Sequence, residues 1–287
     1  MKKTILLLLC VLLCWAPVSV CAFAADEDET FIDEQIAYYE GLGLQGTTVN
    51  VYNWGEYISD GSEGSMDVVS EFERLTGATV NYTNFESNEN MYSKLAGGGV
   101  SYDVIVPSDY MIERLIDENM LLEIDWNNVP NRSLIDSKYQ NLYFDPEQKY
   151  SLCYNIGTTA LIYNTKLVDE VPTSWSVLWD EKYKDKVLMF NNSRDAFAIA
   201  QALLGQDFNS TNESDWNEAA ELLAEQRDKV NPVYVMDEVF NLMESGEYAF
   251  ATYYVGDYVL MNDNNPDLAY AFPEEGVNIF YDAFCIP

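Results

Sequence analysis

Histidine is absent from all 287 residues. That removes His-based catalytic triads, imidazole general bases and the commonest zinc ligand. Cationic side chains are scarce as well: 15 Lys and Arg stand against 48 Asp and Glu, a formal net charge of −33. That balance argues against nucleic acid as a partner, because its phosphates need Lys and Arg, and against binding anionic lipid by a basic face. The excess of carboxylates suits a cationic ligand and also supports solubility. Long apolar runs are missing apart from Ile5 to Trp15, which is too short and wrongly flanked for a membrane span. Cysteine is sparse. Cys10, Cys14 and Cys21 fall in the first two dozen residues, leaving Cys153 and Cys285, whose spacing predicts no disulfide and which are expected as buried thiols.

What is present begins with a targeting segment. Lys2-Lys3, the apolar stretch and Ala22-Phe-Ala24 form the basic, hydrophobic and cleavage regions of a secretory signal over residues 1–24. The mature protein is thus expected outside the cytoplasm, in a periplasmic space or on the outer face of the cytoplasmic membrane. A lipoprotein cleavage before Cys21 is disfavoured by Val20, where a small residue is required. Residues 25–47 read as an acidic, mostly solvated extension with a helical turn at Asp33–Tyr39.

The remaining length suits two domains. In a first lobe, 48–156, strand and helix patterns alternate: a strand at Val49–Val51, a helix at Met66–Thr76 stopped by Gly77, and a strand at Thr79–Tyr82. A helix through Met91 and Leu95 follows, capped by Ser87 or Asn88, then a buried strand ended by Pro107 and a helix from Met111 to Glu118. Such alternation predicts an α/β domain with a parallel sheet. Tyr150–Asn164 is apolar and β-rich and is expected to cross into a second lobe, 157–280. There the pattern predicts a helix start at Thr173-Ser-Trp175, a strand at Val187–Phe190 and helices at Ala196–Leu204, Trp216–Asp228 and Glu238–Ser245. A strand at Tyr248–Tyr253 and a helix through Met261 complete it. Asn262–Pro266 lacks the glycine and terminal Glu of a calcium loop and reads as a turn. Residues 281–287 read as a further strand.

Polar and aromatic groups gather at the predicted strand ends: Trp54-Gly55-Glu-Tyr57, Ser108-Asp-Tyr110, Asn192 to Asp195, Tyr254 to Asp257 and Phe280 to Asp282. Ligands of open α/β sheets collect beyond such ends. Aromatic faces attract a cation and carboxylates accept its N–H bonds, a combination that fits primary ammonium groups spaced along an apolar chain. Each residue also has an ordinary alternative. Trp54 and Tyr57 could be core aromatics, and Ser108, Asp195 and Asp257 could be helix N-caps. Two other functions stay open on these residues: a receptor for another solute, with Arg194 as the cation for an anionic ligand, and an exported hydrolase using paired carboxylates.

Five segments carry a resemblance: Tyr52-Asn-Trp-Gly-Glu-Tyr57, Glu86-Ser-Asn-Glu-Asn-Met-Tyr92 with Lys94-Leu95, Tyr102-Asp-Val-Ile-Val-Pro-Ser108, Thr173-Ser-Trp175 with Leu178-Trp179, and Asp282-Ala-Phe-Cys-Ile-Pro287. From Val49 onward the chain resembles the spermidine/putrescine-binding proteins of bacterial polyamine ABC importers, of the periplasmic-binding-protein type II class. The resemblance implies a two-lobed, non-enzymatic receptor without cofactor or metal, in which residues 281–287 are a strand crossing back to the first lobe and the C-terminal part is expected to be missing. It would bind a polyamine in a cleft between lobes, close by a hinge near Tyr154–Thr158 and Phe280–Asp282, and deliver the ligand to membrane permease subunits. The implied ligand positions are Trp54, Gly55, Tyr57, Ser108, Tyr110, Asn192, Asp195, Tyr254, Asp257, Phe280 and Asp282. Glu86–Glu89 is assigned to structure. There are departures: Gly55 replaces a frequent hydroxyl residue, Asn192 an acidic one, and Tyr254 and Phe280 stand where tryptophan is common. With one acidic position neutral, putrescine is expected to be preferred over spermidine.

Overall fold

The computed structural model describes residues 37–287. The signal sequence, the lipoprotein question at Cys21 and the acidic start of the extension lie outside the described residues. The chain divides into two compact units, one reaching to Asn155 and including Tyr281–Pro287, the other Ile156–Phe280.

In chain order the first unit carries β1 (Thr48–Trp54), α1 (Val68–Thr76), β2 (Thr79–Phe85), α2 (Asn88–Ala96), β3 (Val104–Ile105) and α3 (Asp109–Asp117). Strand β4 (Ser151–Asn164) begins there and continues into the second unit. The second unit adds β5 (Val187–Phe190), α4 (Ser193–Leu204), α5 (Glu213–Val230), β6 (Val233–Val235), α6 (Val239–Glu244), β7 (Phe250–Tyr254), α7 (Val255–Asn264) and β8 (Leu268–Ala271). Strand β9 (Ile279–Cys285) returns the chain to the first unit.

Local chemistry sets these boundaries. Asp67 caps α1 by accepting the Ser70 N–H, and Val68, Phe72 and Leu75 bury its inner face. The helix stops where Gly77 takes a left-handed φ of 67°, its N–H bonding back to the Glu73 carbonyl. Ser87 caps α2 in the same way. In the first unit β1 lies parallel to both β2 and β3, and β3 pairs antiparallel with Cys285 of β9. Period-two alternation then splits the core. Val49, Val51, Val104 and Phe284 join one apolar cluster, and Tyr52, Ile105, Ala283 and Cys285 join another. In the second unit β7 lies between β4 (antiparallel) and β5 (parallel); β6 flanks β5 and β8 flanks β4. All four residues of β5 are buried, as a strand covered on both faces requires.

Several expectations need correction. The extension is not solvated throughout: residues 37–41 are helical, and Tyr39 and Leu44 are buried in the first unit's core. Thr173–Trp179 forms a short 3-10 turn over Trp175–Trp179, with Ser174 as its cap. Asn262–Asn264 belong to α7, so the turn begins only at Asn265. Strands β6 and β8 had no sequence prediction; each is three or four residues long and half exposed, which leaves little alternation to read. Cys153 and Cys285 are free thiols; Cys285 is buried, but Cys153 is only half-buried.

Candidate functional site

Each unit assembles its own group of the predicted residues. In the first unit, strand pairing places Trp54 beside Phe85, with ring centroids 4.4 Å apart. The indole Nε1 donates to the Val106 carbonyl at 2.9 Å, so one edge is anchored while the ring stays half exposed. Trp54 is therefore both a packing residue and a surface wall. In the turn after it the left-handed residue is Glu56, with φ 41°, and not Gly55. A non-glycine residue in that region marks a tightly determined turn.

That turn directs Tyr57 toward β9. Its phenol donates a short hydrogen bond to Asp282 Oδ2 and accepts one from Asn155 Nδ2 at 2.8 Å. Its ring meets Tyr154 edge-on at 5.7 Å, and its carbonyl accepts the Tyr154 hydroxyl at 2.8 Å. Burial first, and the Asp282 charge second, push the Tyr57 phenol far above the ordinary tyrosine range. Asp282 itself is 2% exposed. Its place follows from the proline that ends β3: Pro107 has no N–H for the ladder, but its carbonyl accepts the Ala283 N–H at 3.1 Å. Ser108 then bridges Asp282 antiparallel. The Cys153 thiol is pushed up to about 11, by burial first and then by Asp282. A thiol so poorly ionised is no nucleophile at neutral pH.

Ser108 stands at the N-cap of α3 without capping it through its side chain. Its hydroxyl accepts from Asn88 Nδ2 at 3.0 Å, and its N–H donates to Asn88 Oδ1 at 3.1 Å. Tyr110 donates its hydroxyl to Glu89 at 2.9 Å on an exposed rim. Glu86–Glu89, assigned to structure, thus supports two of the candidate residues directly.

The second unit repeats the carboxylate–phenol theme. Asn192, not Asp195, is the N-cap of α4, accepting the Arg194 N–H at 3.0 Å. Asp195 is released for other bonds and lies 5% exposed in the first turn. Its Oδ2 accepts the Tyr254 hydroxyl and its Oδ1 the Asn278 amide, both at 2.9 Å. Burial and then the Asp195 charge hold the Tyr254 phenol well above its ordinary range. Phe280 meets Tyr254 edge-on at 5.2 Å. Tyr254, not Asp257, occupies the N-cap position of α7. Asp257 sits in its first turn, where its charge helps to raise the neighbouring Tyr253 phenol after burial and Asp237.

Sequence reasoning missed Asn155 and Asn278, the amides that fix Tyr57 and Asp195. Asn278 had one available signal, a place two residues before Phe280 in the terminal constellation; Asn155 had none. Among the described residues no group of three or more acidic or cysteine side chains could hold a metal ion, and no helix is long and apolar enough to cross a membrane.

Comparison with known proteins places this geometry in context. The profile of bacterial extracellular solute-binding proteins matches residues 67–287. The chain is similar to the spermidine/putrescine-binding periplasmic protein 1 of Haemophilus influenzae, 33% identical over 84% of this chain and 66% of that protein. It is also similar to the spermidine/putrescine-binding periplasmic protein of Escherichia coli, 31% identical over 84% of this chain and 68% of that one. The chain thus spans about two thirds of the length of these relatives. A Listeria monocytogenes structure, provisionally assigned to a spermidine/putrescine ABC transporter, superimposes with a TM-score of 0.78 at 32% identity, over 84% of this chain and 73% of that one. The alternating α/β units, the strand-end aromatics and carboxylates and these matches agree, and the chain belongs to the bacterial extracellular solute-binding proteins.

Proposed function

We propose that the protein is the polyamine receptor of a bacterial ABC importer, binding putrescine or spermidine outside the cytoplasm and delivering it to membrane permease subunits. The observation that carries this reading is a repeated one. Each unit sets a buried aspartate against a tyrosine hydroxyl beside further aromatic rings, Asp282 with Tyr57 and Asp195 with Tyr254. An ammonium group can take charge-assisted bonds from such a carboxylate while the rings accept its alkyl chain and the face of the cation. A polyamine carries ammonium groups at both ends, and each half-site offers a carboxylate and aromatic rings suited to one of them. Trp54, Gly55, Tyr57, Ser108, Tyr110 and Asp282 form the first half-site; Asn192, Asp195, Tyr254, Asp257 and Phe280 form the second. The names of the relatives support the same ligand class, and proteins of this family are binding proteins, not enzymes.

Calorimetric titration with putrescine and spermidine tests the proposal, with glutamate and maltose as controls. Saturable binding of either polyamine, without response to the controls, is the expected result. Binding of glutamate or maltose alone would transfer the protein to another solute class.

A further inference from the structure

We propose that Gly157 is a positioning residue for the second half-site: its bare α-carbon seats the Phe280 ring against the Tyr254 phenol. A Cβ placed on Gly157 would lie 2.1 Å from Phe280 Cζ and 2.7 and 2.8 Å from the two Cε atoms. No side chain fits in that space, so the ring rests directly on backbone. Gly157 takes no left-handed φ, so glycine is required there by close approach and not by conformation.

The neighbouring backbone decides what would yield to a side chain at this position. The Thr159 N–H donates to the Asn278 carbonyl at 3.0 Å, the Asn278 N–H donates to Thr159 Oγ1 at 3.2 Å, and Thr158 Oγ1 donates to the same carbonyl at 2.8 Å. These three bonds clamp the chain two residues before Phe280 onto β4 directly after Gly157. The backbones cannot part without breaking them, whereas the Phe280 ring can swing about χ1. Displacing the ring removes the edge that meets Tyr254 at 5.2 Å. Tyr254 in turn holds Asp195 through its hydroxyl. Gly157 therefore acts on the half-site through Phe280. The expected effect on affinity rests on the polyamine reading above; the steric relation between Gly157 and Phe280 does not.

The full chain is compared in four forms: unaltered, Gly157→Ala, Phe280→Ala and the double variant. In titrations with putrescine and spermidine, Gly157→Ala is expected to weaken binding about tenfold, and the same change in the Phe280→Ala background by less than about twofold, because no ring remains to displace. Equal losses in the two backgrounds, or no loss while Phe280 is present, overturn the assignment. Thermal unfolding of the four ligand-free forms supplies a second cycle. The Gly157→Ala shift in midpoint is expected to vanish once Phe280 is alanine, and additive shifts overturn the steric seat. If the unaltered protein binds neither polyamine, the proposed function fails, and the unfolding cycle alone decides the role of Gly157.

Discussion

Tyr57 and Asp282 lie 225 residues apart in the chain and share one hydrogen bond, with Asn155 bonded to the same phenol. The bond orients a buried carboxylate whose charge, in the proposed half-site, would attract an ammonium group. Asp282→Asn keeps the shape and removes the charge. Truncating one partner of a desolvated charge pair costs about 2–5 kcal/mol, so polyamine affinity should fall at least tenfold. Tyr57→Phe leaves the charge and loses only its orientation, so its effect should be smaller. Calorimetry finding unchanged affinity for folded Asp282→Asn would remove Asp282 from the ligand site.

Trp54 has packing contacts beside the ligand contact proposed for it. On sequence alone, a ligand-facing indole should be removable without loss of stability. Its contact with Phe85 and its bond to the Val106 carbonyl change that expectation. Trp54→Ala should lower both polyamine affinity and the unfolding midpoint. Trp54→Phe keeps an aromatic face, loses the hydrogen bond, and should retain most of the affinity. A Trp54→Ala protein with full affinity would leave Trp54 as a packing residue only.

Gln201 offers a test of stability away from the site. It is 1% exposed within α4, and neither its Nε2 nor its Oε1 has a hydrogen-bond partner. A buried amide in that state costs about 1–3 kcal/mol of desolvation. Gln201→Met, which keeps a similar flexible length, should raise stability by about 1 kcal/mol in urea unfolding. A lower urea midpoint for the variant would mean that the amide is paired in solution.

Buried phenols make the fold sensitive to alkali. Tyr57, Tyr253 and Tyr254 are each held far above the unfolded tyrosine pKa, in every case first by burial and then by a neighbouring aspartate. A raised folded-state value means that the native protein retains a proton the unfolded chain releases. Their contribution to stability is therefore full below pH ~10 and falls as pH rises above it, by about 1.4 kcal/mol per pH unit per phenol. Denaturant midpoints should be flat across pH 7–9 with respect to these groups and drop steeply beyond ~10. Tyr254→Phe should make that drop shallower. An equally steep decline in the variant would locate the effect elsewhere.

How far the sequence foretold this arrangement depended on the range of the signal. The end of α1 at Gly77 and the start of α2 at Ser87 were readable because a stop and a cap act within one turn, whereas the start of α1 was placed at Met66, before the Asp67 cap that sets it at Val68. The three-stranded parallel run was readable from alternation alone. Asp195 was less clear, because Asn192 and Asp195 both suit an N-cap and only the helix start at Ser193 decides between them. The bonds of Asn155 to Tyr57 and of Asn278 to Asp195 span 98 and 83 residues and leave no local pattern. Contacts of that kind are fixed by strand register, which a single chain does not display as a motif.

The neutral Asn192 bears on the choice between polyamines. It caps α4 through Oδ1, is 7% exposed, and stands three residues before Asp195. An aspartate caps a helix as well as asparagine does, so Asn192→Asp should preserve the fold while adding one negative charge near the half-site. Putrescine carries two ammonium groups and spermidine three amines, and an additional buried amine without an acidic partner is costly. The unaltered protein should therefore prefer putrescine, with a margin of about 1–3 kcal/mol if one amine of spermidine is poorly compensated. In Asn192→Asp the added carboxylate should narrow or reverse the margin, chiefly by strengthening spermidine binding. Competition calorimetry with both ligands measures this directly. Equal or tighter spermidine binding by the unaltered protein would refute the preference, and an Asn192→Asp variant that gains nothing for spermidine would show that the third amine lies elsewhere.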